Sequence, residues 1–516
     1  MMQYFPDLTN LPSTCTIVTE TGRVEHPGAR VITDGDLTLS LADGAVRLTA
    51  ETQRVKWIAL RWATPLPAGT RVCGDHWERA YGDLAWRDAS EPRVMPWYFF
   101  AQHGDHLALY GVKVRPDALC AFTCDAEGIT LTLDVGCGAD GTALHGRTLT
   151  CGVPVCAELQ TDDAFAGALQ LLPLLADGAV FPSAPVYGYN NWYYAYGDSS
   201  AEIMLASARE LAALTRGLEN RPFLVIDDGW QIERETDGII GGDWRASNSR
   251  FPDMAGLAAQ IRALDVRPGI WMRPLQNKAA QIPPEWYRDP SDWILDPSLD
   301  AVLDWIAEDV RTLTSWGYEL IKHDYSFVDI FGEWGVHCGL PPVREDIHFQ
   351  DRSRTTAEIL KRLYRTIHDA AAGKALILGC NVAGHLGVGW VELNRTGDDT
   401  SGRDWARTKK MGVNSLAFRM PQQGVFFDAD ADCVGITPDV PWEKNRQWLD
   451  LLARSGTPLF ISVAPDTLTQ QQLTEVREAL ATAARPQPPA QPLDWQETLC
   501  PVRWRFGDTE TAYDWD

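Results

Sequence analysis

Hydrophobic positions follow two rhythms along this chain. Up to about Gln170 they come in short segments that alternate or run apolar: Leu37 to Leu41, Val46 to Thr49, Trp57 to Trp62, Trp97 to Gln102, Leu107 to Val114 and Ile129 to Val135. Gly, Asp and Pro punctuate them. A strand turns successive side chains to opposite faces, so many short segments with turn residues between them predict a β-sandwich.

After Pro185 short apolar runs alternate with longer amphipathic stretches, the mark of βα units. Eight strands are predicted: Val186 to Trp192, Phe223 to Asp228, Pro268 to Arg273, Leu320 to Asp324, Ala375 to Asn381, Trp390 to Arg395, Gly424 to Asp428 and Pro458 to Val463. Ser199 with Glu202 reads as a capping box, and Ala301 to Trp316 and Arg354 to Ala371 have helical spacing. This predicts a (β/α)8 TIM barrel. The four prolines of RPQPPAQP, Arg485 to Pro492, forbid helix and make a stiff connector. The chain of 516 residues divides into an N-terminal β-sandwich over 1–172, a barrel over 180–484, and a linker with a small C-terminal β appendage over 485–516.

Composition narrows the partners. A net charge of −24 disfavours phosphate backbones and anionic membrane surfaces, while a neutral sugar suits such a chain. No nucleic acid or membrane partner is expected. Sheet edges in the N-terminal part leave a homo-oligomer open. The start, MMQYFPDLTN, lacks the basic and apolar regions of a signal peptide, so a cytoplasmic location is expected. The eleven cysteines are scattered and read as reduced. The ten histidines are dispersed and no HExxH occurs, so neither metal nor cofactor is expected.

Barrel chemistry gathers where strands end. Those ends are polar here: Asn190-Asn191-Trp192, Asp227-Asp228-Gly229-Trp230, Lys322 with Asp324, Arg395-Thr396-Gly397-Asp398-Asp399, and Asp428, Asp430 and Asp432. Any one Asp there is as readily a helix cap. Several on one rim favour carboxylate chemistry. Two carboxylates flanking a glycosidic bond can cleave it, one attacking the anomeric carbon and one protonating the leaving oxygen. Lys322 shares a strand face with Asp324 and would keep it ionised. That points to Asp324 as nucleophile and to Asp398 or Asp399 as acid/base.

In series these motifs resemble the α-galactosidase clan, glycoside hydrolase families 36 and 27. Trp77-Glu78-Arg79-Ala80-Tyr81-Gly82 through Trp86 is similar to the N-terminal β domain of family 36. Gly188 to Trp192, Ile226 to Trp230, Gly242-Asp243-Trp244 with Phe251-Pro252, Pro268 to Trp271, Ile321 to Asp324, Thr396-Gly397-Asp398 and Thr457 to Ser462 follow the clan's motifs in order. The resemblance implies a retaining exo-glycosidase acting on terminal α-galactoside-like sugars. It implies Asp324 as nucleophile and Asp398 as acid/base, since the Thr-Gly-Asp motif aligns without a gap. Asp399 is the rival if the family's Arg four residues upstream is Arg395. Asp227, Asp228 and Lys322 would hold sugar hydroxyls; Trp192, Trp244, Trp271, Cys380 and Asp432 would line the pocket; and the loop through Asn381 would read the sugar's second carbon. Two departures bear on the sugar. Arg273-Pro274-Leu275 stands where family 36 has Glu-Pro-Glu, and Cys380 to Gly384 matches neither loop of the clan. N-acetylgalactosamine or β-L-arabinopyranose specificity, a raffinose-synthase-like transglycosylase, and a non-catalytic sugar-binding relative are the alternatives.

Overall fold

The computed structural model describes residues 4–232 and 240–516. Strands dominate up to Gln160, in three antiparallel sheets of seven, five and four strands. The observed strands Leu37–Ala42, Ala45–Thr49, Arg54–Trp62, Tyr98–His103, His106–Val112 and Gly128–Asp134 match the predicted ones to within a few residues.

The five-stranded sheet is buried on both faces, which explains its nearly unbroken apolar runs. Phe99, Ala101, Ala108 and Tyr110 face a core shared with the other two sheets, whereas Tyr98, Phe100, Leu107 and Leu109 face the core that continues into the rest of the chain. Helix Ala164–Leu171, capped by Asp163, closes this part where the sequence reading still expected β-structure.

The second part is a parallel sheet wrapped by helices. Its strands run, in sequence, Tyr187–Asn190, Phe223–Ile226, Arg267–Met272, Leu320–His323, Leu376–Gly379 and Leu393–Arg395, then Asp428–Asp430 with Cys433–Ile436, then Leu459–Val463. The last strand pairs with the first. The two edge strands of the sheet, Asp428–Asp430 and Cys433–Ile436, are separated in the chain only by Ala431 and Asp432. They act as one seventh strand broken by an insertion, and the arrangement is TIM-like.

Two predictions are corrected. The seventh strand was expected over Gly424 to Asp428 but begins at Asp428. Gly424 sits at φ +69, its N–H bonds to the Phe427 carbonyl, and Phe426 and Phe427 fill the core. The apolar run is therefore a packed turn. Helix Ala201–Leu214 is capped by Ser200, not Ser199, with the Ser200 hydroxyl accepting from the Ile203 N–H. Thr355 with Glu358 forms the full capping box on helix Thr356–Ala371.

The C-terminal segment forms a three-stranded sheet from Gln491–Pro492, Arg503–Phe506 and Thr509–Ala512. Trp495 from this segment packs edge-on against Trp86, and Trp515 bonds through its carbonyl to the Trp405 indole. The appendage thus rests on both preceding parts.

Candidate active site

The strand ends converge on one rim. Asp324 follows the fourth strand; its N–H bonds to the Met272 carbonyl of the third. The chain then turns at Tyr325, φ +62, a conformation that side chains adopt only with support. Support comes from below, where the Arg273 guanidinium lies 4.2 Å from the centre of the Tyr325 ring. One Asp324 oxygen accepts from the Trp271 indole at 3.3 Å and the other from the Tyr325 N–H at 2.7 Å. Among the described residues no cation pairs with Asp324.

Lys322 does not serve Asp324 as its place on the strand suggested. Its ammonium reaches across to Asp227 Oδ2 at 2.7 Å, because Asp324 lies beyond the last paired residue while the Lys322 side chain points into the barrel. Burial opposes the ammonium's charge, but Asp227 outweighs that and raises its pKa above the ordinary value. Asn190 also donates to Asp227 Oδ2, at 2.7 Å, and Asn191 accepts from the Asp227 N–H. Asp228 accepts from Gln231 at 2.6 Å.

The sixth strand brings the other carboxylates. Arg395 is buried and bonds Asp399 at 3.1 Å, Asp432 at 2.8 Å and the Cys380 sulfur at 3.3 Å. Asp432, φ +70, sits at the break in the seventh strand, where an extra residue re-aims a side chain. Its Oδ2 also accepts from the Thr400 N–H and hydroxyl and from the Tyr193 hydroxyl. Gly397 is required by contact, since a Cβ there would lie 2.1 Å from the Met411 carbonyl oxygen.

Asp398 and Asp399 are distinguishable. Each Asp398 oxygen already has a guanidinium, Arg79 at 2.9 Å and Arg407 at 2.7 Å. Asp399 is more open, with 38% of its side chain exposed against 16% for Asp398. Burial raises the Asp399 pKa, but Arg395, Arg79 and Lys322 together outweigh it and hold the carboxyl at about 2. Tyr325 feels both Asp324 and Asp399, so the two carboxylates share one electrostatic neighbourhood.

The tryptophans divide. Trp271 touches Asp324, and Trp192 is half-buried beside Tyr196. Trp244 is wholly buried and packs against Trp230 and Trp271. Arg273 is engaged too, bonding both Asp329 oxygens, at 3.0 and 2.6 Å, and Gln276. Asn381 is buried; its Oδ1 accepts from the Val328 N–H, and its Nδ2 has no hydrogen-bond partner among the described residues.

Residues 183–305 match the Melibiase family model. A segment of 191 residues is 34% identical to α-galactosidase AgaA of Geobacillus stearothermophilus, over 35% of this chain and 25% of that protein. Over these segments the chain is similar to α-galactosidases. Its overall architecture resembles TtGalA, an α-galactosidase of Thermus thermophilus solved with p-nitrophenyl α-D-galactopyranoside, with TM-score 0.61 and 20% identity over 96% of this chain and 98% of that one. The family 36 structure of AgaA aligns with TM-score 0.58 and 17% identity, over 93% of this chain and 71% of that one. The matched segments span a quarter or less of the length of the curated relatives. At such identities the structural likeness bears on the fold, a sandwich joined to a TIM-like barrel.

The structure brings the residues chosen from sequence to one rim, together with partners that the sequence did not suggest. Arg79, Arg407, Tyr193, Thr400 and Tyr325 were not selected. Arg79 lies in the Trp77 to Gly82 motif, which marked the domain without revealing where its side chain goes.

Proposed function

We propose that this chain is a retaining exo-glycosidase that hydrolyses terminal α-galactoside-like sugars by double displacement. One observation carries the reading. Asp227, Asp398, Asp399 and Asp432 each have a cation within ion-pair distance, while Asp324 is held only by neutral donors among the described residues. An anion fixed in place and left uncompensated is ready to meet the positive charge that develops on an anomeric carbon. The Trp271 and Tyr325 donors orient it without neutralising it.

Asp399 is the better proton donor of the neighbouring pair, because both oxygens of Asp398 are committed to guanidiniums. This reading prefers Asp399, the rival, over the Asp398 that the Thr-Gly-Asp alignment suggested. A donor held low by cations implies an acidic pH optimum. Asp227, Asp228 and Lys322 hold sugar hydroxyls, with Trp192 and Trp271 as walls and Cys380 and Asp432 beneath. The divisions at 1–172, 180–484 and 485–516, with a closed (β/α)8 barrel as the middle one, belong to the same reading. The Asn381 Nδ2, without a partner among the described residues, suits an acetamido carbonyl as well as a hydroxyl, so an N-acetylgalactosaminide is a second candidate.

The test is a panel of nitrophenyl glycosides that includes α-galactoside, α-N-acetylgalactosaminide and β-L-arabinopyranoside. Asp324→Ala is expected to lose several orders of magnitude in kcat, with added azide restoring turnover and yielding the azide of inverted configuration. Asp399→Asn is expected to lose more activity than Asp398→Asn. A wild type inert on every substrate refutes the reading; an active Asp324→Ala without azide refutes the nucleophile.

A further inference from the structure

The turn between strands Arg71–Gly74 and Arg87–Asp88 leaves the N-terminal part and docks on the rim. It does so through backbone. The Ala80 N–H bonds to the Thr396 carbonyl at 2.9 Å, and the Asp398 N–H bonds to the Ala80 carbonyl at 2.8 Å. Ala80 and Gly397 thus form a short parallel bridge. Side chains lock the seam. Asp75 pairs with Arg419 at 2.7 Å, and Asn414 bonds the Leu84 carbonyl at 2.8 Å. A Cβ at Gly82 would strike Lys410. The turn cannot shift without moving the segment that carries both aspartates.

Arg79 extends from this turn. It lies 2.9 Å from Asp398 and 3.5 Å from Asp399, with Nε 3.8 Å from Glu78 and its guanidinium 4.8 Å from the centre of the Trp334 ring. Only 7% of its side chain is exposed.

We propose that Arg79 is a positioning residue lent to the barrel by the N-terminal β part, which fixes Asp398 as a standing counter-ion and leaves Asp399 to exchange the proton. The inference rests on the glycosidase reading above. It adds that the acid's proton affinity is set in part from outside the barrel. Asp399 faces Arg395 on its own strand end, Arg79 from the docked turn, Lys322 from the fourth strand, Asp432 from the seventh-strand break, Tyr193 from the helix after the first strand, and Tyr325 beside Asp324. Asp398 faces Arg79, Arg407 and Glu78. Of the cations on Asp399, Arg79 alone comes from the N-terminal part.

The sign follows. A guanidinium beside a carboxyl favours its ionised form, so removing Arg79 makes Asp399 hold its proton to higher pH. The alkaline limb of kcat/KM, which reports the essential acid in the free enzyme, should rise. The experiment is the pH profile of kcat/KM for wild type, Arg79→Gln and Arg79→Lys on the best nitrophenyl glycoside of the panel. The limb is expected to move up by roughly one pH unit or more in Arg79→Gln and to stay near wild type in Arg79→Lys. If Arg79→Gln does not fold, Glu78→Gln/Arg79→Gln removes the buried charges together and carries the same expectation. A residue of merely structural role would lower the whole profile without moving its limb. An unmoved or lowered limb overturns the inference, as does an equal shift in Arg79→Lys. An inert wild type would instead refute the glycosidase reading itself.

Discussion

The buried pair Lys322–Asp227 offers the sharpest energetic prediction. The ions meet at 2.7 Å with 9% and 4% of their side chains exposed. At an effective dielectric of about 20, that separation is worth about 6 kcal/mol of attraction, much of it offset by the cost of dehydrating both groups. Lys322→Met removes the ammonium while roughly keeping the stem's volume. Asp227 then stays buried with only Asn190 and the Asp228 N–H as donors, at 2.7 and 2.9 Å. Breaking such a pair from one side costs about 3–5 kcal/mol. For a chain of this size, unfolding as a unit, that lowers the melting temperature by on the order of 3–5 °C. Asp227→Asn should repair much of the loss when combined with Lys322→Met, because neither partner is then a buried uncompensated ion. The assay is a double-mutant cycle on melting midpoints, run beside kcat/KM on the active glycoside. Stability should return in the double variant and activity should not, since the sugar contacts are gone. The reasoning fails if Lys322→Met melts like wild type, or if the two substitutions add with no coupling.

Asp134 makes a pH-dependent prediction away from the site. Burial pushes its carboxyl up to about 7, with the Gly136 N–H as a partial counterweight. Its folded pKa lies above the unfolded one, so the stability it lends is complete below about pH 4 and is lost as pH rises toward 7. Asp134→Asn should therefore gain on the order of 4 kcal/mol at pH 8 and nothing near pH 4; equal melting differences at both pH values would contradict this. Gly397→Ala should cost about 1–3 kcal/mol by pressing on the Met411 carbonyl, and should depress kcat by displacing Asp398 and Asp399. Retention of full kcat and unchanged melting would show that the rim tolerates a Cβ there.

Most strands were legible because buried parallel strands read as short apolar runs with polar residues where they end. The seventh was not, for the same physical reason inverted. Its paired residues, Asp428-Ala429-Asp430, look like a loop because the Asp430 side chain enters a polar interior, while the preceding Val425-Phe426-Phe427 looks like a strand and is a turn. Phe426 packs 5.1 Å from Trp97 across the seam between the two parts, a contact that local periodicity cannot register. Side-chain direction was legible only within a strand. Lys322 and Asp324 share a face by spacing, yet Asp324 lies beyond the paired end of the strand and the lysine reaches across to Asp227. Arg79 lies more than three hundred positions before its carboxylate partners, and no spacing rule links them.

The charge pattern of the rim ties these points together. A chain with net charge −24 that gathers several aspartates in one place must stop them from taking up protons or splaying apart. It does so with few cations, each shared. Arg395 serves Asp399 and Asp432, and Arg79 serves Asp398 and Asp399. Shared guanidiniums fix geometry as well as charge, because a planar fork holds two carboxylates at a set angle. At Asp324 the fold supplies neutral donors instead of such a cation. Adding a cation at that point would stabilise the empty site and blunt the nucleophile. The Glu-to-Arg departure at Arg273 comes close to doing this, and Asp329 holds it back by taking its guanidinium with both oxygens. Asp329→Asn should therefore lower stability, by leaving Arg273 a buried unpaired cation, and also lower kcat, since it weakens the hold on a cation beneath Tyr325, next to Asp324. The measurement is kcat against melting temperature in Asp329→Asn, and in Arg273→Met/Asp329→Asn, where loss of the cation should restore part of kcat. If the double variant is no better than the single one, Asp329 does not act by restraining Arg273.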